Sequence, residues 1–222
     1  SLRLKRTRMK VVKPSFEILF PKTKELATEI LKVVELAGRN CYKSEDRICE
    51  GSHNKMIGML RLKKHESVME HGNITVRMIG SRAFTHQIVR HRIAAYSQES
   101  QRYCNYNKGK FGNEVTFIEP EGFDDWTPTQ QKYWKKGCEE AEYNYQEMIN
   151  FGTKAEDARG VLPNACKTEI VVTMNLRTWR HFFRMRCDKH AQAEIRNLAK
   201  GLLKEMNDLM PIIFEDLYEE FK

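Results

Sequence analysis

The stretch Arg90-His91-Arg92-Ile93-Ala94-Ala95-Tyr96-Ser97-Gln98-Glu99-Ser100-Gln101-Arg102-Tyr103 carries three arginines, a histidine and two serines in fourteen residues. A guanidinium is a planar fork that meets phosphate oxygens two at a time, and a neutral core has no use for that density of cations. The segment therefore predicts an anion site. Arg90, His91 and Arg92 alone read as a helix C-terminus, where cations complement the dipole. Tyr96 to Tyr103 then reads as a strand whose alternation sets Gln98, Ser100 and Arg102 on one polar face, with Arg90 and Arg92 entering beside it. Such a face is a poor core and a good anion cradle.

Outward from this segment, periodicity predicts the remaining elements. Phe16, Ile18 and Phe20 alternate as a strand. Thr23 to Ala37 carries Leu26, Ile30, Val33, Val34 and Ala37 at helical spacing, with Thr23 as N-cap and Gly38 as the residue just past the end. A helix is expected over 54–64. Ile74, Val76 and Met78 mark a half-buried strand ended by Gly80, and Ser81 to Arg90 a short helix. Downstream, Cys104 to Pro128 is rich in Gly, Asn, Asp and Pro and reads as loop with a short strand over 115–118; its first part, to about Pro120, is the expected lid over a site. Helices over 127–150 and 153–160 follow, then a strand over 167–175, helices over 178–186 and 192–210, and a terminal helix after Pro211. Strands and helices mix without regular βα alternation. The expectation is a single α+β domain spanning 1–222, with a mainly antiparallel central sheet flanked by helices.

At 222 residues, 41% hydrophobic and 31% charged, the chain has enough apolar material for a real core and is not of disordered type. Its net charge of +8 asks for an anionic partner. The basic start (Arg3, Lys5, Arg6, Arg8, Lys10) reads as a solvated, flexible terminus over 1–9. The six cysteines form no Cys-x-x-Cys pair, and no His spacing completes a metal site. With no signal-peptide pattern and no bilayer-length apolar run, the expectation is a cytoplasmic protein with free thiols and no membrane partner. His86 and His91 are five apart, about 140° around a helix, so they do not converge on a metal. Neither a Rossmann Gly-x-Gly-x-x-Gly turn nor a Walker loop is present. Any nucleotide must be held by arginines and side-chain hydrogen bonds instead.

Two further clusters lie downstream. Arg159 precedes Gly160-Val161-Leu162-Pro163, and Asn175-Leu176-Arg177-Thr178-Trp179-Arg180-His181 leads to Arg184, Arg186, Asp188 and His190. Taken alone, Arg180 and Arg184 read as a solvated helix face.

Together these pieces resemble the flavin-dependent thymidylate synthases. Their signature runs Arg-His-Arg, seven residues, then Ser; here it is Arg90-His91-Arg92, Ile93 to Glu99, then Ser100, continued by Arg102 and Tyr103. Glu70-His71 and Gln87 stand at the matching upstream places. Arg159 with Val161-Leu162-Pro163 resembles a second family block, and Asn175, Arg177, His181, Arg186, Asp188, His190, Ala191 and Gln192 a third. The resemblance runs from about Val11 onward.

It implies reductive methylation of dUMP to dTMP with methylenetetrahydrofolate as carbon donor, NADPH as reductant and FAD as hydride carrier, in a homotetramer whose active sites lie between subunits. By the same resemblance Arg90, His91, Arg92, Asn175, Arg177, His181 and His190 contact FAD, with Cys41 and Thr75 as weaker matches. Gln87, Gln98, Ser100, Arg102, Arg159 and Arg186 contact dUMP, and His71 lies near flavin and folate. Gln98 stands where some members have Glu, which favours an amide contact there. The residues suit chemistry without a covalent enzyme nucleophile. No cysteine sits in an activating setting, and Ser100 has no base in its own segment. Ser100 and Arg102 would take the dUMP phosphate, and Arg186 would polarise the uracil ring, so the catalytic candidates are Arg186, Ser100 and His71. The rivals are a nucleic-acid module, suggested by Tyr96, Tyr103 and Tyr106 among the basic residues, and a flavoprotein of this fold without the activity.

Overall fold

The computed structural model of the chain describes residues 9–103, 106 and 114–222. The basic residues Arg3, Lys5, Arg6 and Arg8, and most of the loop expected to act as a lid, lie outside them. The described elements are strands β1 (Lys10–Val12), β2 (Ser15–Phe20), β3 (Asn73–Ser81), β4 (Ala95–Gln98), β5 (Thr116–Ile118) and β6 (Lys167–Asn175). The helices are α1 (Lys24–Tyr42), α2 (Ser52–Leu62), α3 (Arg82–Ile88), α4 (Pro128–Asn150), α5 (Ala155–Ala158), α6 (Leu176–Arg186), α7 (Ala193–Leu209) and α8 (Pro211–Phe221). Among the described residues four strands form one sheet in the order β2-β3-β6-β4, and β1 pairs with β5 in parallel. The larger sheet is mainly antiparallel and flanked by helices. Its central pair shows why. The Leu176 amide donates to Gly72, the hydroxyls of Thr75 and Thr173 meet at 2.9 Å, and the Arg82 amide donates to Cys166. Numbers climb on one strand as they fall on the other.

The described residues fall into two compact units. One takes residues up to Ser15, Ile79–Gln87 and Gln98–Ile170; the other takes Phe16–Met78, Ile88–Ser97 and Val171–Lys222. In the first, Val115, Phe117, Cys138, Tyr145, Ala158 and Cys166 make the core, and Thr127 opens α4 with a reciprocal capping box to Gln130. In the second, Trp179, Phe182, Phe183 and Phe214 pack with ring centroids 5.4–5.9 Å apart. The Trp179 indole donates to the Ile74 carbonyl at 3.1 Å and so ties α6 to β3.

Three local expectations are corrected. Helix α1 does not stop before Gly38. It runs to Tyr42 and ends on Lys43 in the left-handed region. A Cβ on Gly38 would lie 2.8 Å from Leu60 Cδ1, so the glycine lets α2 approach and is not a terminator. Strand β3 runs through Gly80 to Ser81. The strand expected over 96–103 stops at Gln98. Beyond it the Ser100 hydroxyl accepts from the Arg102 amide at 3.3 Å, and the Tyr103 amide turns back to the Ser100 carbonyl. These local bonds replace ladder pairing, so Gln98, Ser100 and Arg102 do not share a strand face. The short strand β1 escaped periodicity because three residues carry too little pattern.

Candidate active site

The second unit holds a cavity of about 680 Å³ lined by Arg90, His91, Arg92 and Ile93, by Glu66 and Glu70, and by Asn175, Arg177, Thr178, His181, Arg184, Met185 and Arg186. The chain reaches it in three ways. The Arg-His-Arg segment follows α3. Asn175 caps α6, its side-chain oxygen accepting the Thr178 amide at 2.8 Å, which sets the helix start at the cavity wall. Down α6, residues 177, 181, 184 and 185 recur at helical spacing on the cavity side, while Trp179, Phe182 and Phe183 face the core. Among the described lining residues, five guanidinium groups stand against two carboxylates. Arg177 pairs with Glu70 at 2.6 Å, and Arg184 lies 3.6 Å from Glu66. Seven expected residues are thus together: Arg90, His91, Arg92, Asn175, Arg177, His181 and Arg186.

His91 is the buried member, 8% exposed. Arg186 Nε donates to its Nε2 at 3.0 Å, and its ring meets Phe182 edge-on at 5.2 Å. The Tyr96 hydroxyl donates toward the carbonyls of Ile88 and His91, at 2.7 and 2.6 Å. Burial, then the charges of Arg186 and His181, push the His91 ring down to about 4, so it is neutral at ordinary pH. Burial lowers Arg186 as well.

Other expected residues of this unit do not line the cavity. Cys41 is exposed near the end of α1, and His71 is exposed at the end of a short 3-10 segment, Glu66–His71. Thr75 bonds Thr173 across the sheet. His190 is exposed, with Nδ1 2.7 Å from Asp188. Of the two residues read as a solvated helix face, Arg184 is exposed, as read, and also lines the cavity; Arg180 needs correction. Arg180 is 1% exposed; it forks onto both Asp216 oxygens at 2.7 Å and donates to the Ile213 carbonyl. Its partner lies 36 residues on, beyond the reach of local periodicity.

The remaining candidates sit in the first unit. Arg102 pairs with the Glu156 carboxylate at 3.1 Å, and Arg159 Nε donates to the Glu156 carbonyl at 3.0 Å. Glu156 thereby joins two motifs more than fifty residues apart. Arg159 lines a cavity of about 230 Å³ with Arg82, His86 and Gln101, a grouping that sequence spacing gave no means of assembling. Gln98 turns inward and donates to the hydroxyls of Thr85 and Thr168 at 3.0 and 3.2 Å. Gln87 bonds back to the Ala83 carbonyl of its own helix. Burial pushes the thiols of Cys138, Cys166 and Cys187 up to about 12, far from an activated thiolate. Among the described residues, no group of three or more His, Cys, Asp or Glu side chains is placed to hold a metal ion.

A family model described as thymidylate synthase complementing protein matches residues 25–212. A flavin-dependent thymidylate synthase of Pyrococcus furiosus is 44% identical over 175 residues, covering 77% of this chain and 70% of its own. One from Geobacter sulfurreducens is 38% identical over 190 residues, covering 82% and 80%. The chain belongs to the flavin-dependent thymidylate synthase family. A solved UMP/dUMP methylase, PolB from Streptomyces cacaoi bound with 5-Br dUMP, superposes with a TM-score of 0.76 at 24% identity, covering 96% of this chain and 98% of that one. At that identity the likeness concerns the fold. In this family member the matched region takes in most of both compact units and every candidate residue.

Proposed function

We propose that this chain methylates dUMP to dTMP, with methylenetetrahydrofolate as carbon donor, NADPH as reductant and FAD as cofactor, and that residues 1–222 act as a single catalytic domain. The observation that carries the reading is the meeting of Arg90, His91 and Arg92 with Asn175, Arg177, His181 and Arg186 in one cavity, in a chain of this family. The cavity suits a flavin nucleotide. Its volume lies within the range of small-molecule sites, its excess guanidinium groups match a pyrophosphate, and Ile93 and Met185 offer apolar contact to a ring. Arg90, His91, Arg92, Asn175, Arg177 and His181 would hold the cofactor, with Cys41, Thr75 and His190 as further contacts. When bound, FAD supplies the hydride-transfer chemistry.

The chain's own residues supply alignment and field. Ser100, Arg102 and Arg159 take the dUMP phosphate, the guanidinium of Arg102 exchanging its Glu156 partner for the ligand, with Gln87 and Gln98 shaping the same pocket. Arg186 stands against the uracil oxygen that gains negative charge and stabilises it there. His71 serves the flavin and folate side. The proposed reaction uses no enzyme nucleophile: three thiols are buried and raised, the exposed Cys41 and Cys49 do not line the guanidinium-rich cavity, and Ser100 has no base in its own segment. A homotetramer that assembles its sites between subunits accounts for candidates spread over the chain. The five described cysteines are free, which supports work in the reducing cytoplasm, and no described helix is long and apolar enough to cross a membrane. A nucleic-acid surface is disfavoured because Tyr96 is tied to carbonyls and Tyr106 is buried, leaving Tyr103 as the exposed ring of the three. The test is dTMP formation from dUMP and methylenetetrahydrofolate by the purified flavin-loaded protein, comparing NADPH with NADH. Formation is expected with NADPH. Flavin retention without dTMP under either reductant would overturn the reading.

A further inference from the structure

We propose that His91 acts as the positioning residue for Arg186: its ring, in the tautomer with the proton on Nδ1, accepts the Arg186 Nε–H and fixes the plane of the guanidinium at the cavity. The role given to Arg186 rests on the reading above; the pairing itself rests on geometry. An arginine Nε–H can only donate, so the His91 Nε2 facing it at 3.0 Å must carry a lone pair and no proton. The histidine is held by its ring and by its backbone. The ring is 8% exposed and packs edge-on against Phe182 and His181, and its carbonyl receives the Tyr96 hydroxyl. A side chain held in this way has one orientation to offer, and that orientation is passed to Arg186.

The choice of histidine has a chemical reason. A carboxylate in its place would orient Arg186 but neutralise the charge the cavity needs, and a cation would repel it. A neutral imidazole lone pair orients the fork and leaves its full positive charge in the site. The contact is made through Nε, the inner nitrogen of the guanidinium, and so fixes the direction of the fork.

Two arms test this. The first needs no turnover: long-range proton–nitrogen NMR of the full ¹⁵N-His-labelled protein, with His91 assigned by its loss in His91→Gln. The wild type is expected to show an unprotonated Nε2 and a protonated Nδ1. Arg186→Ala is expected to release the ring toward the Nε2–H tautomer that free imidazole side chains favour in water. A wild-type Nε2–H ring, or a ring unchanged by Arg186→Ala, would overturn the pairing. The second arm is kinetic. His91→Leu, assayed at saturating FAD and dUMP so that any loss of cofactor binding is made up, is expected to lower kcat on the order of 100-fold, as a misplaced catalytic group does. His91→Gln, which places an amide oxygen near Nε2, is expected to recover at least about ten-fold of that loss. Equal losses in the Leu and Gln variants, or a loss that saturating FAD and dUMP abolish, would overturn the positioning role. A wild type with no dTMP formation sinks the functional reading alone, and the NMR arm still decides the pairing.

Discussion

At the scale of single residues, two buried polar groups organise this chain, and each carries a prediction. His91 is held down to about 4 by burial, with the charges of Arg186 and His181 adding to it. The unfolded chain takes up a proton on this ring at about 6.5, the folded chain only near 4. Stability present above the unfolded value is therefore lost as pH falls through that window. The loss reaches about 3 kcal/mol by pH 4. Urea unfolding midpoints at neutral pH and near pH 4 are expected to show it, and His91→Gln to remove that part of the slope. Arg180, 1% exposed, is the second group. Removing it leaves Asp216 without its fork and the Ile213 carbonyl without its donor. Asp216 stays 44% exposed on its side chain, so Arg180→Ala is expected near the low end for a broken buried pair, a loss of about 3 kcal/mol by urea unfolding. Asp216 itself feels burial upward, outweighed by the hydrogen bond and charge of Arg180 and by Arg61. Its contribution is present above the ordinary 3.8 and lost as pH falls below it.

At the scale of elements, two helix-interior glycines look alike in sequence and differ in structure. Gly137 in α4 is exposed, with nothing within 4 Å of an added Cβ. Gly137→Ala is expected to stabilise by about 0.5–1 kcal/mol through helix propensity. Gly38 in α1 faces Leu60 at 2.8 Å and Met56 at 3.1 Å, and Leu60 is itself 1% exposed. There the same substitution overpacks the α1–α2 contact, and Gly38→Ala is expected to destabilise by about 1 kcal/mol net. Thermal melts of the two variants read the opposite signs directly. The same contrast explains the misplaced helix end: a glycine past an apolar stripe signals a terminus only when nothing packs on it.

At the scale of the whole molecule, the two compact units divide the candidate residues. The guanidinium-rich cavity belongs to one, and the Arg102–Glu156–Arg159 grouping to the other. Variants should divide in the same way. Arg92→Ala is expected to weaken FAD retention about ten-fold, read by flavin absorbance after gel filtration, with a smaller effect on KM for dUMP. Arg159→Ala is expected to raise KM for dUMP about ten-fold while the protein stays yellow. Each figure is on the order of one lost charge-assisted hydrogen bond. A variant from either group moving both readouts equally would argue against the division.

Much of this was legible in the order of residues because it depends on local rules. Alternation marked β3 and β6, a threonine cap and an apolar stripe marked the start of α1, and the Arg-His-Arg spacing marked the segment that feeds the cavity. Other features depend on residues that meet only after the chain has folded. Arg180 became a core group because α8 brought Asp216 to it. Gln98 turned inward because two threonine hydroxyls were waiting, and Gly38 became a contact point because Leu60 arrived from α2. A hydrogen bond or a van der Waals contact acts over about 3–4 Å in space, whatever the separation along the chain. Periodicity and capping could therefore be read in advance, while the partners of long polar side chains were decided by tertiary packing.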